Sequence, residues 1–130
     1  MLSSSDSVPQ ESWTCFKGSC HKTGRSNFAF LRKPLFKSMI KVGPLLSSPV
    51  SESHSVYVCT ITGRVYRIEK GRNIIKWHVN MSSPVVSSPS IYKNHLIVGT
   101  FSTWIHGSGC GREPSSVSAF NLYDAAEKWK

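Results

Sequence analysis

The residues of this 130-residue chain best equipped for chemistry are its four cysteines, Cys15, Cys20, Cys59 and Cys110. Cys15 and Cys20 stand in a C-x4-C spacing with His21 directly after them, a grouping of thiol and imidazole that suits zinc. A structural zinc site takes four ligands, ordinarily as two well-spaced pairs. No second pair follows, so no metal ligand is assigned. The same two thiols allow a disulfide, but only in an oxidising compartment. Cys59 lies inside "VYVCT" and reads as a small buried hydrophobe. A second candidate stretch is "FSTWIHGSGCGREPSS" (101–116), in which Gly107, Gly109 and Gly111 allow a nest of backbone N–H donors for an anion. Arg112 would add charge to it, and Trp104 and His106 are the contact candidates. The plainer reading of the stretch is a surface loop, and a lone histidine is far from an active site. The two aspartates, Asp6 and Asp124, lie far apart in the sequence, and no oxygen-rich grouping suits calcium. No catalytic residue is assigned.

Charge suggests partners more than chemistry. Sixteen Lys and Arg face seven Asp and Glu, a net charge of +9. The excess is concentrated: Lys17, Lys22, Arg25, Arg32, Lys33, Lys37 and Lys41 follow one another with no acid between Ser12 and Ser51. Such a segment attracts an anion or a nucleic acid over a Debye length. Phe28 and Phe30 lie among these charges, but no nucleic-acid reading module is present. A solvated basic surface is the simpler interpretation. With 39% hydrophobic and 18% charged residues the composition is globular. No apolar run approaches the ~20 residues of a membrane span. The opening "MLSSSDSVPQESW" lacks the basic and apolar regions of a secretory leader. That favours a cytoplasmic chain, unless the natural N-terminus has been lost. The sequon Asn80-Met81-Ser82 is then accidental.

The elements that must carry these residues emerge from a repeat. "PLLSSPV" (44–50) returns as "PVVSSPS" (84–90). At an offset of 40, Pro44, Ser47, Ser48, Pro49, Val58 and Thr60 meet Pro84, Ser87, Ser88, Pro89, Val98 and Thr100. The offset then becomes 52, so that Val65, Lys76 and Trp77 meet Val117, Lys128 and Trp129. Each copy divides into four short segments of strand character. In the first these are 45–50, 55–60, 64–68 and 74–79; in the second, 85–91, 95–100, 116–120 and 127–130. "SVYVCT", "RVYRI" and "HLIVGT" have the β-branched and aromatic content of strands. Gly63, Gly71, Asn94 and Asp124 stand where the chain must turn. Four antiparallel strands in about forty residues make one blade of a β-propeller. The fold class predicted is therefore all-β, with about two blades of four antiparallel strands. Residues 1–43 form a tail and lead-in segment, 44–80 the first blade, and 81–130 the second with an inserted loop at 101–116. The Ser-Ser-Pro stretches are expected to be the innermost strands, with Pro44 and Pro84 at strand starts and Pro49 and Pro89 near bulges or strand ends.

"HSVYVCTITGRVYRIEKGRNIIKWHV" resembles the PQQ-like repeat of the quinoprotein alcohol dehydrogenase-like superfamily. In that family an eleven-residue motif opens on a small residue, has glycine seventh and ends on a tryptophan that docks on the next blade. Arg67, Asn73 and Trp77 take those positions in the first copy; Ala119, Ala125 and Trp129 take them in the second. Both tryptophans are kept and both glycines are gone, so the resemblance implies docking through Trp77, Trp129 and Ala119 that is weaker than the family's. "WTCFKGSCHKTGRS" (13–26) looks like the segment that precedes a first blade. Quinoprotein dehydrogenases resemble one another in a calcium-held quinone, a catalytic Asp and often an adjacent-cysteine disulfide. This chain has no adjacent cysteine pair. The resemblance therefore implies a non-catalytic interaction scaffold, with no cofactor and a protein partner or further blades as its partner. The alternative is a fragment of a PQQ-dependent dehydrogenase, with pyrroloquinoline quinone and calcium held by blades not present. Propellers close with ~4–8 blades, so two blades imply an incomplete propeller, a truncated product, or a protomer that closes by oligomerising.

Overall fold

A computed structural model describes residues 12–18, 21–22, 24–25, 36, 38–81, 83–101 and 115–129. These residues contain eight strands and no helix: β1 Val50–Glu52, β2 Ser55–Cys59, β3 Arg64–Glu69, β4 Ile74–Asn80, β5 Ser90–Tyr92, β6 His95–Gly99, β7 Val117–Asn121 and β8 Glu127–Trp129. They form two four-stranded antiparallel sheets, ordered β1-β2-β3-β4 and β5-β6-β7-β8. Each sheet is an up-and-down meander, the form of a propeller blade.

The equivalence of the two copies extends to individual hydrogen bonds. Ser47 Oγ donates to Cys59 O, and Ser87 Oγ to Gly99 O, both at 3.1 Å. Ile61 N donates to Pro44 O at 3.0 Å, and Phe101 N to Pro84 O at 2.9 Å. Thr60 N reaches Arg64 O and Thr100 N reaches Ser116 O, both at 2.8 Å. The pairing register also slips at one equivalent place in each sheet, between Arg67 and Ile68 and between Ala119 and Phe120. The residue left over on the partner strand is Lys76 in one sheet and Lys128 in the other. One extra residue on an edge strand turns the following side chains to the other face, and this slip aligns each tryptophan with the residue opposite it on the neighbouring strand.

The innermost strands differ from the sequence expectation. Residues 45–49 and 85–89 are not strand; the ladder begins at Val50 and Ser90, just after Pro49 and Pro89. Pro44 and Pro84, expected at strand starts, lie outside the strands as well. Their carbonyls instead accept the bonds from Ile61 and Phe101. The Ser-Ser-Pro stretches are lead-ins held by serine hydroxyls. Equivalent serines even join the copies, since Ser48 N donates to Ser88 Oγ at 3.0 Å.

The core lies between the sheets. One face of the first sheet contributes Val50, Tyr57, Cys59 and Val65; the opposing face of the second contributes Ile91, Leu96, Val98 and Phe120, with Val85 and Leu122 alongside. Trp77, Val79 and Met81 pack against its margin. The segment before the first sheet joins both inner edges. Trp13 exchanges two backbone bonds with Ser51, and Thr14 O accepts from Ile91 N at 2.7 Å. Ser51 and Ile91 are themselves equivalent at the offset of 40.

Candidate functional site: a docking row repeated on a free face

The first sheet docks on the second through one row of side chains. Tyr57, Arg67 and Trp77 stand opposite one another on β2, β3 and β4. Side chains directly opposite in an antiparallel ladder share a face, so all three face the second sheet. Trp77 Nε1 donates to Leu122 O at 2.9 Å, and its ring lies 6.0 Å from that of Tyr57. Arg67 donates through Nε to Ser55 Oγ at 2.9 Å and through its NH1 group to Leu122 O at 3.1 Å. Its guanidinium lies 5.6 Å from the centroid of the Tyr123 ring. Burial raises the pKa of the Tyr57 hydroxyl above its usual value; Arg67 beside it acts in the opposite sense. Arg67 was missed as a docking residue because the family motif asks for a small side chain there. Its long arm reaches from β3 to the Leu122 carbonyl beside the second sheet.

The second sheet carries the same row. Ile97, Ala119 and Trp129 stand opposite one another on β6, β7 and β8. Val117 takes the place of Val65 beside them. This row points away from the first sheet. Val117 is 51% exposed where Val65 is 0%, and Trp129 is 52% exposed where Trp77 is half-buried. Ala119 is buried. An open groove of about 310 Å³ runs beside the row, lined by Val86, Ser87, Gly99, Thr100, Phe101 and Val117 among others.

Both positions where the resembled motif has glycine are left-handed: Asn73 has φ 57° and Ala125 φ 60°. Asn73 N donates to Glu69 O, and Ala125 N to Asn121 O, at 3.1 and 3.0 Å. The turns are thus kept without glycine. The contact candidates Trp104, His106 and Arg112, the glycines of their loop, and Cys20 and Cys110 lie outside the described residues, as do Phe28 and Phe30. Cys15 and Cys59 are free thiols. Among the described residues no group of three or more His, Cys, Asp or Glu side chains gathers as metal ligands would. No helix among them is long and apolar enough to cross a membrane.

No family model matches the chain, and no curated protein matches it. Among solved structures it is similar to a europium-containing methanol dehydrogenase at 13% identity and a TM-score of 0.49. That match covers 63% of this chain and 14% of the dehydrogenase chain. An identity and score this low say nothing of what the chain binds. The fold rests on its own geometry, two equivalent four-stranded blades packed face to face.

Proposed function

We propose that the chain is a non-catalytic β-propeller segment of the PQQ-like repeat type that serves as a macromolecular interaction scaffold. The observation that supports this is the free docking row of the second sheet. A half-exposed indole and a half-exposed valine occupy the positions whose counterparts, Trp77 and Val65, dock the first sheet. Exposed apolar surface of this kind marks an association face. The test is to incubate the full-length protein with pyrroloquinoline quinone and calcium, then add a primary alcohol and an electron-accepting dye. The scaffold reading expects no bound-quinone spectrum and no alcohol-dependent dye reduction. A quinone spectrum with dye reduction overturns it in favour of a dehydrogenase fragment. The basic segment from Lys17 to Lys41 supports anion attraction in addition; affinity for a polyanion that falls steeply with salt would give it a functional part.

A further inference from the structure

We propose that a groove at the inner edge of the second sheet, between β5 and the segment that precedes the first sheet, binds the phosphate group of a small organic phosphate. The groove is open, has a volume of about 340 Å³, and is lined by Cys15, Phe16, Lys22, Ser88 and Ser90. The proposal goes beyond the scaffold reading and does not depend on it.

The repeat marks this groove as a departure. The segment that begins at Trp13 crosses the inner edges of both sheets, bonded to Ser51 in one and to Ile91 in the other. On the first sheet its Trp13 borders a groove lined by Ser48, Pro49, Val50, Ser51 and Val56. On the second, Cys15, Phe16 and Lys22 border the groove with Ser88 and Ser90. Ser48 and Ser88 are equivalent at the offset of 40, and so are Val50 and Ser90. A valine in the first groove is thus a hydroxyl in the second. The indole gives way to a thiol, a phenyl ring and an ammonium.

The lining is rich in donors. Lys22 is exposed and brings a full positive charge. Ser88 Oγ accepts the N–H of Ser48 at 3.0 Å, which leaves its own hydrogen to donate. Ser90 adds a second hydroxyl, and the free thiol of Cys15 a weaker donor. Among the described residues no carboxylate lines the groove, and the sequence has none between Ser12 and Ser51. A compact ammonium beside hydroxyls suits a tetrahedral oxyanion, whereas a planar carboxylate is better held by the paired N–H groups of an arginine. Phe16 is 50% exposed and gives the groove an apolar wall for the organic part of the ligand. The basic residues around it, Lys17 and Arg25 among them, raise the local concentration of anions. The hydroxyls give the choice among them.

The test is an NMR titration of the full-length protein, read from backbone amide shifts, with phenyl phosphate, inorganic phosphate and acetate as probes at constant ionic strength. Saturable shifts centred on Cys15, Phe16, Lys22, Ser88 and Ser90 are expected, with phenyl phosphate bound more tightly than phosphate and acetate least. Lys22→Gln and Ser90→Val should each weaken phenyl phosphate about tenfold, the loss of one bond to a charged group. Ser90→Val installs the residue that the first sheet has at the equivalent position. Arg72→Gln removes an equal charge from the exposed turn between β3 and β4 and should leave the affinity unchanged. Retained β-sheet circular dichroism shows that each variant folds; should Ser90→Val not fold, Ser90→Ala removes the same hydroxyl. Shifts that do not saturate overturn the proposal, as does acetate bound as tightly as phosphate. So does an affinity that Ser90→Val leaves intact. A loss with Arg72→Gln equal to that with Lys22→Gln also overturns it, since net charge alone would then account for the binding.

Discussion

Single residues show how far a repeat can drift while its geometry holds. The turn before β8 needs a left-handed residue, and Ala125 occupies it at φ 60°. A β-carbon in that conformation costs about 1–2 kcal/mol, and glycine removes the cost. Ala125→Gly should therefore stabilise the fold by about 1 kcal/mol in urea unfolding, less the extra freedom glycine gives the unfolded chain. A loss of stability would contradict the assigned turn. Cys59 is informative in another way, because burial pushes its thiol up to about 12. An unfolded thiol ionises near about 8.5. Between those values the unfolded state sheds a proton that the folded state keeps, so stability falls as pH rises. The wild type's stability relative to Cys59→Ala should decline between about pH 8 and 10.5, at up to about 1.4 kcal/mol per unit. A difference that stays constant across that range contradicts the burial.

At the scale of elements, the last three strands of each sheet were legible because strand-like composition and turn residues repeat at matched offsets. Gly63, Gly71 and Asn94, expected at turns, all have positive φ, and Asp124 Oδ1 accepts from Ala126 N at 2.9 Å. The first strand of each sheet was misplaced for a physical reason. "LLSSPV" has strand-like hydrophobicity, but its serines bond through side chains and its proline cannot donate, so the ladder starts only at the residue after the proline. Pro49 and Pro89 were the signal, each marking the position immediately before a strand. The link between the sheets depends on Gly63, at φ 87°, where an added β-carbon would meet Met81 O at 2.6 Å and Ser83 O at 2.8 Å. Neither oxygen belongs to a flexible side chain, and Met81 N is bonded to Gly63 O at 2.7 Å. Gly63→Ala should cost at least about 2 kcal/mol, from the left-handed backbone and the clash together. Gly71, also at φ 87° but with open space around it, should lose only about 1 kcal/mol on the same substitution. Equal losses at both glycines would contradict the close approach of the linker to the turn.

At the scale of the molecule, what holds the two sheets together is a core of interleaved apolar faces with a polar tie at one edge. The tryptophan of that tie was expected from the resemblance to the repeat. The arginine beside it was not, since its role depends on a register that sequence alone does not give. The row on the second sheet repeats that register and is more exposed than its counterpart. The whole account depends on the first sheet facing the second through Trp77. The most direct measurement is hydrogen exchange of the Trp77 indole N–H by NMR, assigned by its loss in Trp77→Phe. The packing predicts that this proton, held by Leu122 O, exchanges as slowly as the amides of β2 and β3, while that of Trp129 exchanges fast. Exchange of the Trp77 proton at the rate of a free indole would mean that the sheets do not meet as described.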